Sequence, residues 1–152
     1  MLFRSERAIE VWQAIGYSAG VALALTGLGA AIVESGDAVH GREMLRDAES
    51  RWTRLGSTTY LPDLYRFIAS AELATGDLEA ATLAAEKSLD LARGATARHQ
   101  EAMTNRVQGE IAAARGDRST ARQLLERSRA ALRELDEPAE LARTEAVLAR
   151  LS

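Results

Sequence analysis

Chemistry needs nucleophiles, acids, bases or metal ligands at working distances, and this chain offers few such groupings. Its two histidines, His40 and His99, stand 59 residues apart. No cysteine accompanies them, and neither sits in a His-Glu motif at helical spacing, so the ligand pattern of a metal site is missing. Serines and threonines are plentiful, but none occupies a nucleophile elbow and no Gly-rich phosphate loop is present. Gly27-Leu28-Gly29 falls inside a predicted helix, where glycine serves packing. Glu43 and Asp47 lie one helical turn apart, a common solvent-facing arrangement. Without a nucleophile, base and oxyanion donors, the chain reads as non-catalytic, with no metal and no cofactor.

The cations are more patterned. Arg118, Arg122, Arg129 and Arg133 follow spacings of four, seven and four, so they share one face of one helix. Arg115 stands just before them. A basic stripe can bind phosphates. However, Glu126 and Glu134 lie on the same helix, no aromatics interleave for base stacking, and the net charge is -3. A solvated outer face is the expectation, with nucleic-acid binding through the Arg118–Arg133 face as the alternative.

These residues must be positioned by helices. The chain is rich in Ala and Leu, with two prolines and 5% aromatics. Gly36-Asp37, Gly76-Asp77 and Gly116-Asp117 recur at a spacing of 40 residues, the signature of stacked helical repeats. Glycine can take the left-handed conformation that ends a helix, and Asp accepts hydrogen bonds from the first free N–H groups of the next. Helices are therefore predicted over residues 2–15, 17–35, 38–55, 59–75, 78–94, 98–115, 118–135 and 138–151. Ser57, Thr58 and Thr59 offer caps for the fourth, Pro62 suits its first turn, and Gly94 closes the fifth.

The repeat has columns. Gly29, Ala69, Gly109 and Ala149 form a small-residue column, Gly41, Ala81 and Ala121 a second, and Ala48, Ser88 and Ser128 a third. Small residues let two helices approach closely. Leu28, Ile68 and Leu148 form an aliphatic column that Gln108 breaks. The expected fold is all-α: three full hairpins (17–56, 57–96 and 97–136), a half repeat at 1–16 and a terminal capping helix at 137–152, in one repeat domain. The longest apolar stretch, Val21 to Val33, is too short to span a bilayer. Met1-Leu2-Phe3 leads directly into Arg4, Ser5, Glu6 and Arg7, so no signal peptide is expected. The lack of cysteine suits a reducing cytoplasm.

These columns resemble the tetratricopeptide repeat, on Gly29, Gly36-Asp37, Gly41 and Ala48, then Ala69, Gly76-Asp77, Ala81 and Ser88, then Gly109, Gly116-Asp117, Ala121 and Ser128. The 40-residue period departs from the family's usual 34, and the proline that often closes a family repeat is absent. Stretches such as LPDLYRFIASAELATGDLEAA look like the helical tails of bacterial ATPase-linked transcription regulators and of cyclases with ATPase modules.

The resemblance implies a right-handed α-solenoid whose first helices line a concave groove that binds a protein segment or a partner domain. It also implies a place within a larger bacterial signalling or transcription regulator. A small-ligand or peptide sensor is the alternative in the same class. By the resemblance, the inward positions are Leu23, Thr26, Ala30 and Val33; Asp63, Arg66, Ser70 and Leu73; and Met103, Arg106, Glu110 and Ala113. Arg66 and Arg106 occupy one column a repeat apart. They can grip a carboxylate or phosphate, or pair with Asp63 and Glu110 and hold adjacent hairpins together. The lysines and asparagines of the family's carboxylate clamp are missing from these positions, so a chaperone C-terminus is not implied.

The ends lack hairpin mates, which suggests a fragment of a longer protein. Trp12 and Ile15 are expected to pack on the helix at 17–35, leaving Phe3 and Ile9 partly bare. Self-association of this end into a two-fold dimer follows as an expectation.

Overall fold

The computed structural model describes residues 2–14, 16–92 and 97–152, with side chains from Arg4 onward. The expectations for Ile15 and Gly94 lie outside the described residues, and that for Phe3 outside the described side chains. Eight helices run through these residues: α1 (Leu2–Ala14), α2 (Ser18–Glu34), α3 (Ala38–Leu55), α4 (Leu61–Thr75), α5 (Leu78–Leu91), α6 (Ala97–Ala114), α7 (Arg118–Glu134) and α8 (Pro138–Arg150). The fold is all-α, as the periodicity predicts.

The Gly-Asp turns work by the expected chemistry. Gly36, Gly76 and Gly116 take φ of 103°, 88° and 82°, a region closed to most side chains. Asp37, Asp77 and Asp117 then accept from the N–H groups of His40, Ala80 and Thr120 at 3.1, 2.9 and 3.0 Å. The start of α4 differs from expectation. It follows Tyr60 with no side-chain cap, so Ser57, Thr58 and Thr59 do not serve; Pro62 does sit in the first turn. Asp136 takes a left-handed φ of 55°, two 40-residue periods on from the turn glycine Gly56 (φ 64°). Asp is one of the few non-glycine residues that visits this region routinely.

Each helix packs on the next, most extensively within the pairs α2/α3, α4/α5 and α6/α7. In addition α2 touches α4, α4 touches α6 and α6 touches α8, whereas among the described residues no contact joins α3 to α5 or α5 to α7. The even-numbered helices are thus the closer-spaced row. A continuous core runs from Val21 and Leu25 of α2 through Leu45, Leu64 and Ile68 to Val107 and Ile111 of α6.

The small columns lie where helices cross. Gly29 and Gly41 face each other across α2/α3: a Cβ added at Gly41 would stand 2.7 Å from the Gly29 carbonyl oxygen, and one at Gly29 would stand 3.0 Å from the Gly41 oxygen. Ala69, Ala81 and Ala121 are fully buried, but Ala149 of α8 is exposed, since no described helix follows to cover it.

The third column has a polar counterpart. Ser88 on α5 meets Thr104 on α6 at 3.2 Å, and Ser128 on α7 meets Thr144 on α8 at 3.3 Å, all four fully buried. At the equivalent positions of α3 and α4 stand Ala48 and Leu64, also fully buried. The positions alternate together: hydroxyl with hydroxyl, or small apolar with large apolar. Ser88→Ala should therefore cost about 1–3 kcal/mol, because it orphans the Thr104 hydroxyl. Adding Thr104→Val should recover part of that, since it removes the stranded hydroxyl, while the Pro62 carbonyl still loses the bond that Ser88 Oγ donates to it at 2.7 Å. Urea midpoints of the two variants check this: a double variant as unstable as the single one would mean that cavity volume or the Pro62 bond, not the hydroxyl pair, governs the interface.

At the front, Trp12 is half-buried against α2, edge-on to Tyr17 with ring centroids 6.1 Å apart, while Val11 of α1 is exposed. Trp52, one period later, is buried and stacks on Tyr60 at 4.9 Å.

Candidate binding groove

The even-numbered helices converge on a pocket of about 130 Å³ lined by Ala30, Val33 and Glu34 of α2, Arg66, Phe67 and Ser70 of α4, Arg106 and Glu110 of α6, and Arg143 of α8. Six positions expected to face inward meet here: Ala30, Val33, Arg66, Ser70, Arg106 and Glu110.

The other six expected positions lie off this pocket. Thr26 is buried between α2 and α3, where its hydroxyl donates to Ala22 O at 2.8 Å and accepts from Trp52 Nε1 at 3.3 Å. Its side chain is too short to leave the helix interface, unlike the arginines in the same column. Leu23 is exposed and does not line the pocket. Met103 is buried beside Ala102 and Leu132. Asp63 stands behind Arg66, which donates Nη2 to its Oδ1 at 2.9 Å; Gln100 Nε2 donates to the same oxygen at 3.1 Å. Of the outer pair of expected positions, Leu73 and Ala113 are half-buried and also lie off the pocket.

Both arginines have carboxylate partners. Arg66 pairs with Asp63 within α4 and Arg106 with Glu110 within α6 at 2.8 Å, while Arg106 also reaches Glu140 at 3.3 Å and so ties α6 to α8. Yet neither guanidinium is satisfied. The side chains are only 5% and 10% exposed, and the Nε–H of each lacks an acceptor. A buried donor without a partner is costly, which makes such atoms candidates for ligand contact. Burial pulls the Arg66 guanidinium below its ordinary pKa; the bond and charge of Asp63 oppose this, and the neighbouring charge of Arg106 adds to it. Phe67 covers Arg66, with its ring centroid 4.4 Å from the guanidinium carbon.

Arg143 of α8, absent from the expected inward positions, completes the lining. It bonds Glu34 of α2 at 2.6 Å and lies 3.5 Å from Glu140. That bond, with burial opposing it, raises its pKa. The signal was present: Arg143 stands in the column of Leu23, Asp63 and Met103, forty residues past Met103.

The arginine stripe of α7 lies against α8. Arg118 and Arg122 donate to the Leu151 carbonyl at 3.1 and 3.2 Å, Arg133 pairs with Glu145 at 2.8 Å, and Arg129 pairs with Glu126. Arg115 donates to Leu78 O and Thr82 Oγ1 of α5. Each of these cations already has an internal acceptor. His40 lies 3.8 Å from Asp37, and His99 lies 3.3 Å from Glu137. Among the described residues no group of three or more His, Cys, Asp or Glu is placed to hold a metal ion, and no helix is long and apolar enough to cross a membrane.

No protein-family model matches the chain, and no curated protein is significantly similar to it.

Proposed function

We propose that this chain is a non-catalytic binding module: a tetratricopeptide-like solenoid whose concave face, the row α2, α4, α6 and α8, receives an acidic segment of a partner protein. The observation that carries this reading is the pair of buried, incompletely satisfied guanidiniums of Arg66 and Arg106 in one pocket. Guanidinium forks match carboxylate geometry, and desolvation strengthens the contact. A cytoplasmic setting, and a place in a larger bacterial signalling or transcription regulator, belong to the same proposal. They rest on the repeat pattern and the cysteine-free composition.

An acidic peptide selected by screening should lose at least tenfold in affinity, about 1.4 kcal/mol, when Arg106 becomes Lys, because lysine keeps the charge and loses the fork. Arg66→Ala with Arg106→Ala should abolish binding while helicity by circular dichroism persists. Unchanged affinity in both would leave the arginines as internal struts only.

A further inference from the structure

The outer wall of the pocket is built differently from its floor. Arg66 and Arg106 form the buried floor. Glu34 and Arg143, both on the lining, are half exposed, with side chains 55% and 49% accessible. They join α2 to α8 across 109 residues of sequence, and among the described residues these two helices make no other close approach. Exposed ion pairs are weak contacts, so this one can open without unfolding a hairpin. A carboxylate arriving from outside meets Arg143 first and finds it held by the chain's own carboxylate.

We propose that Arg143 is the third arginine of the acid-binding site and that Glu34 is an internal competitor for it, displaced when an acidic segment binds. The inference rests on the groove reading above. The exchange is well balanced: one carboxylate replaces another on Arg143, so that guanidinium stays paired throughout. The incoming acid gains in addition the charge of Arg66 and Arg106. Within the lining these three cations face only Glu34 and Glu110, and release of Glu34 leaves Glu110 as the remaining anion there. Asp63 stays with Arg66, and Glu140 stays between Arg106 and Arg143, 3.3 and 3.5 Å from them, so Glu34 is the carboxylate that the incoming acid displaces.

Calorimetric titration with a tetraglutamate peptide at fixed ionic strength tests this. Glu34→Gln should tighten binding at least threefold, and Arg143→Gln should weaken it at least threefold. A merely structural tether predicts another result: both variants remove the same contact and shift affinity in the same direction or not at all. That outcome overturns the inference.

A second readout is independent of affinity. The chain has no cysteine, so spin labels can be placed at Ser35→Cys and Ala142→Cys alone. In the wild-type background the peptide should broaden or lengthen their separation, and Glu34→Gln should do so without peptide. A separation unmoved by peptide also counts against displacement. The two proposals fail separately. Binding that ignores Arg66→Ala with Arg106→Ala removes the groove reading. Binding that needs those arginines while Glu34→Gln weakens it removes only the competitor. If tetraglutamate binds neither wild type nor Glu34→Gln, both fall.

Discussion

Gly41→Ala is expected to destabilise the fold by about 2 kcal/mol, although alanine is the better helix former. The added Cβ would stand 2.5 Å from Val33 Cγ2, 2.7 Å from Gly29 O and 2.9 Å from Val33 N. Two of these atoms are backbone, so relief requires moving α2 away from α3. Overpacking of this kind typically costs about 1–3 kcal/mol, and a clash against backbone belongs at the upper end. The gain from replacing a helical glycine, about 1 kcal/mol, offsets only part of it. Gly27→Ala provides the opposite case, two residues from the crossing glycine Gly29 and on the other side of α2. Gly27 is exposed in α2 and its Cβ would meet nothing within 4 Å. That variant should gain about 0.5–1 kcal/mol. The same logic puts Gly109→Leu at a loss on the order of 1–3 kcal/mol or more, against Leu125 and Ala121, while Arg127→Leu on the surface stays within about 0.5 kcal/mol. Urea denaturation should give midpoint shifts of opposite sign for Gly41→Ala and Gly27→Ala. Shifts of the same sign would mean that α2 and α3 do not cross at Gly29 and Gly41.

Removing the two arginines that cover Glu72 should be costlier still. Glu72 of α4 is a charged side chain only 6% exposed, held by Arg42 at 3.2 Å and Arg46 at 2.9 Å from α3. Arg46 also reaches Glu49, which in turn accepts from Tyr65. Burial raises the Glu49 pKa, but the bonds from Tyr65 and Arg46 outweigh it, and the net direction is downward. Arg42→Ala with Arg46→Ala leaves Glu72 facing α3 without a countercharge. Breaking a buried ion pair from one side typically costs about 3–5 kcal/mol. Because both arginines are partly exposed, the lower figure, about 3 kcal/mol, is the expectation here. Glu72→Leu in the same background should restore stability, since the loss comes from the stranded carboxylate. If the triple variant melts no higher than the double, the arginines act through packing of their stems.

The turns and helix limits were legible because their chemistry is local. A left-handed glycine and a capping aspartate act over four residues, so Gly76-Asp77 marks a boundary whatever surrounds it. The groove was legible only in part, because one column can meet different fates. Thr26, Arg66 and Arg106 share a column, yet the short threonine stays in the core against Trp52 while the long arginines extend beyond the interface. Leu23, Asp63, Met103 and Arg143 share another, and they end exposed, ion-paired, buried and on the pocket wall. Side-chain length and the presence or absence of a covering helix decide between these outcomes, and neither can be read from a spacing. The capping of α4 failed for a related reason: three plausible cap residues precede it, but the chain enters that helix through Tyr60, which stacks on Trp52.

The paired hydroxyls set rules for how such an array can grow. Repeat arrays lengthen by duplication of whole hairpins, and each copy must fit its neighbour on both sides. The 97–136 hairpin presents Thr104 at its front and Ser128 at its back, so a tandem copy would seat Ser128 against Thr104 and reproduce the junctions already present. The 57–96 hairpin presents Leu64 in front and Ser88 behind. A copy of it would press a serine hydroxyl against leucine methyls where the existing junction has alanine. Of these two hairpins, the third is therefore the one that can be multiplied without repair, and additional copies would extend the row of even-numbered helices by one guanidinium each at the position of Arg106.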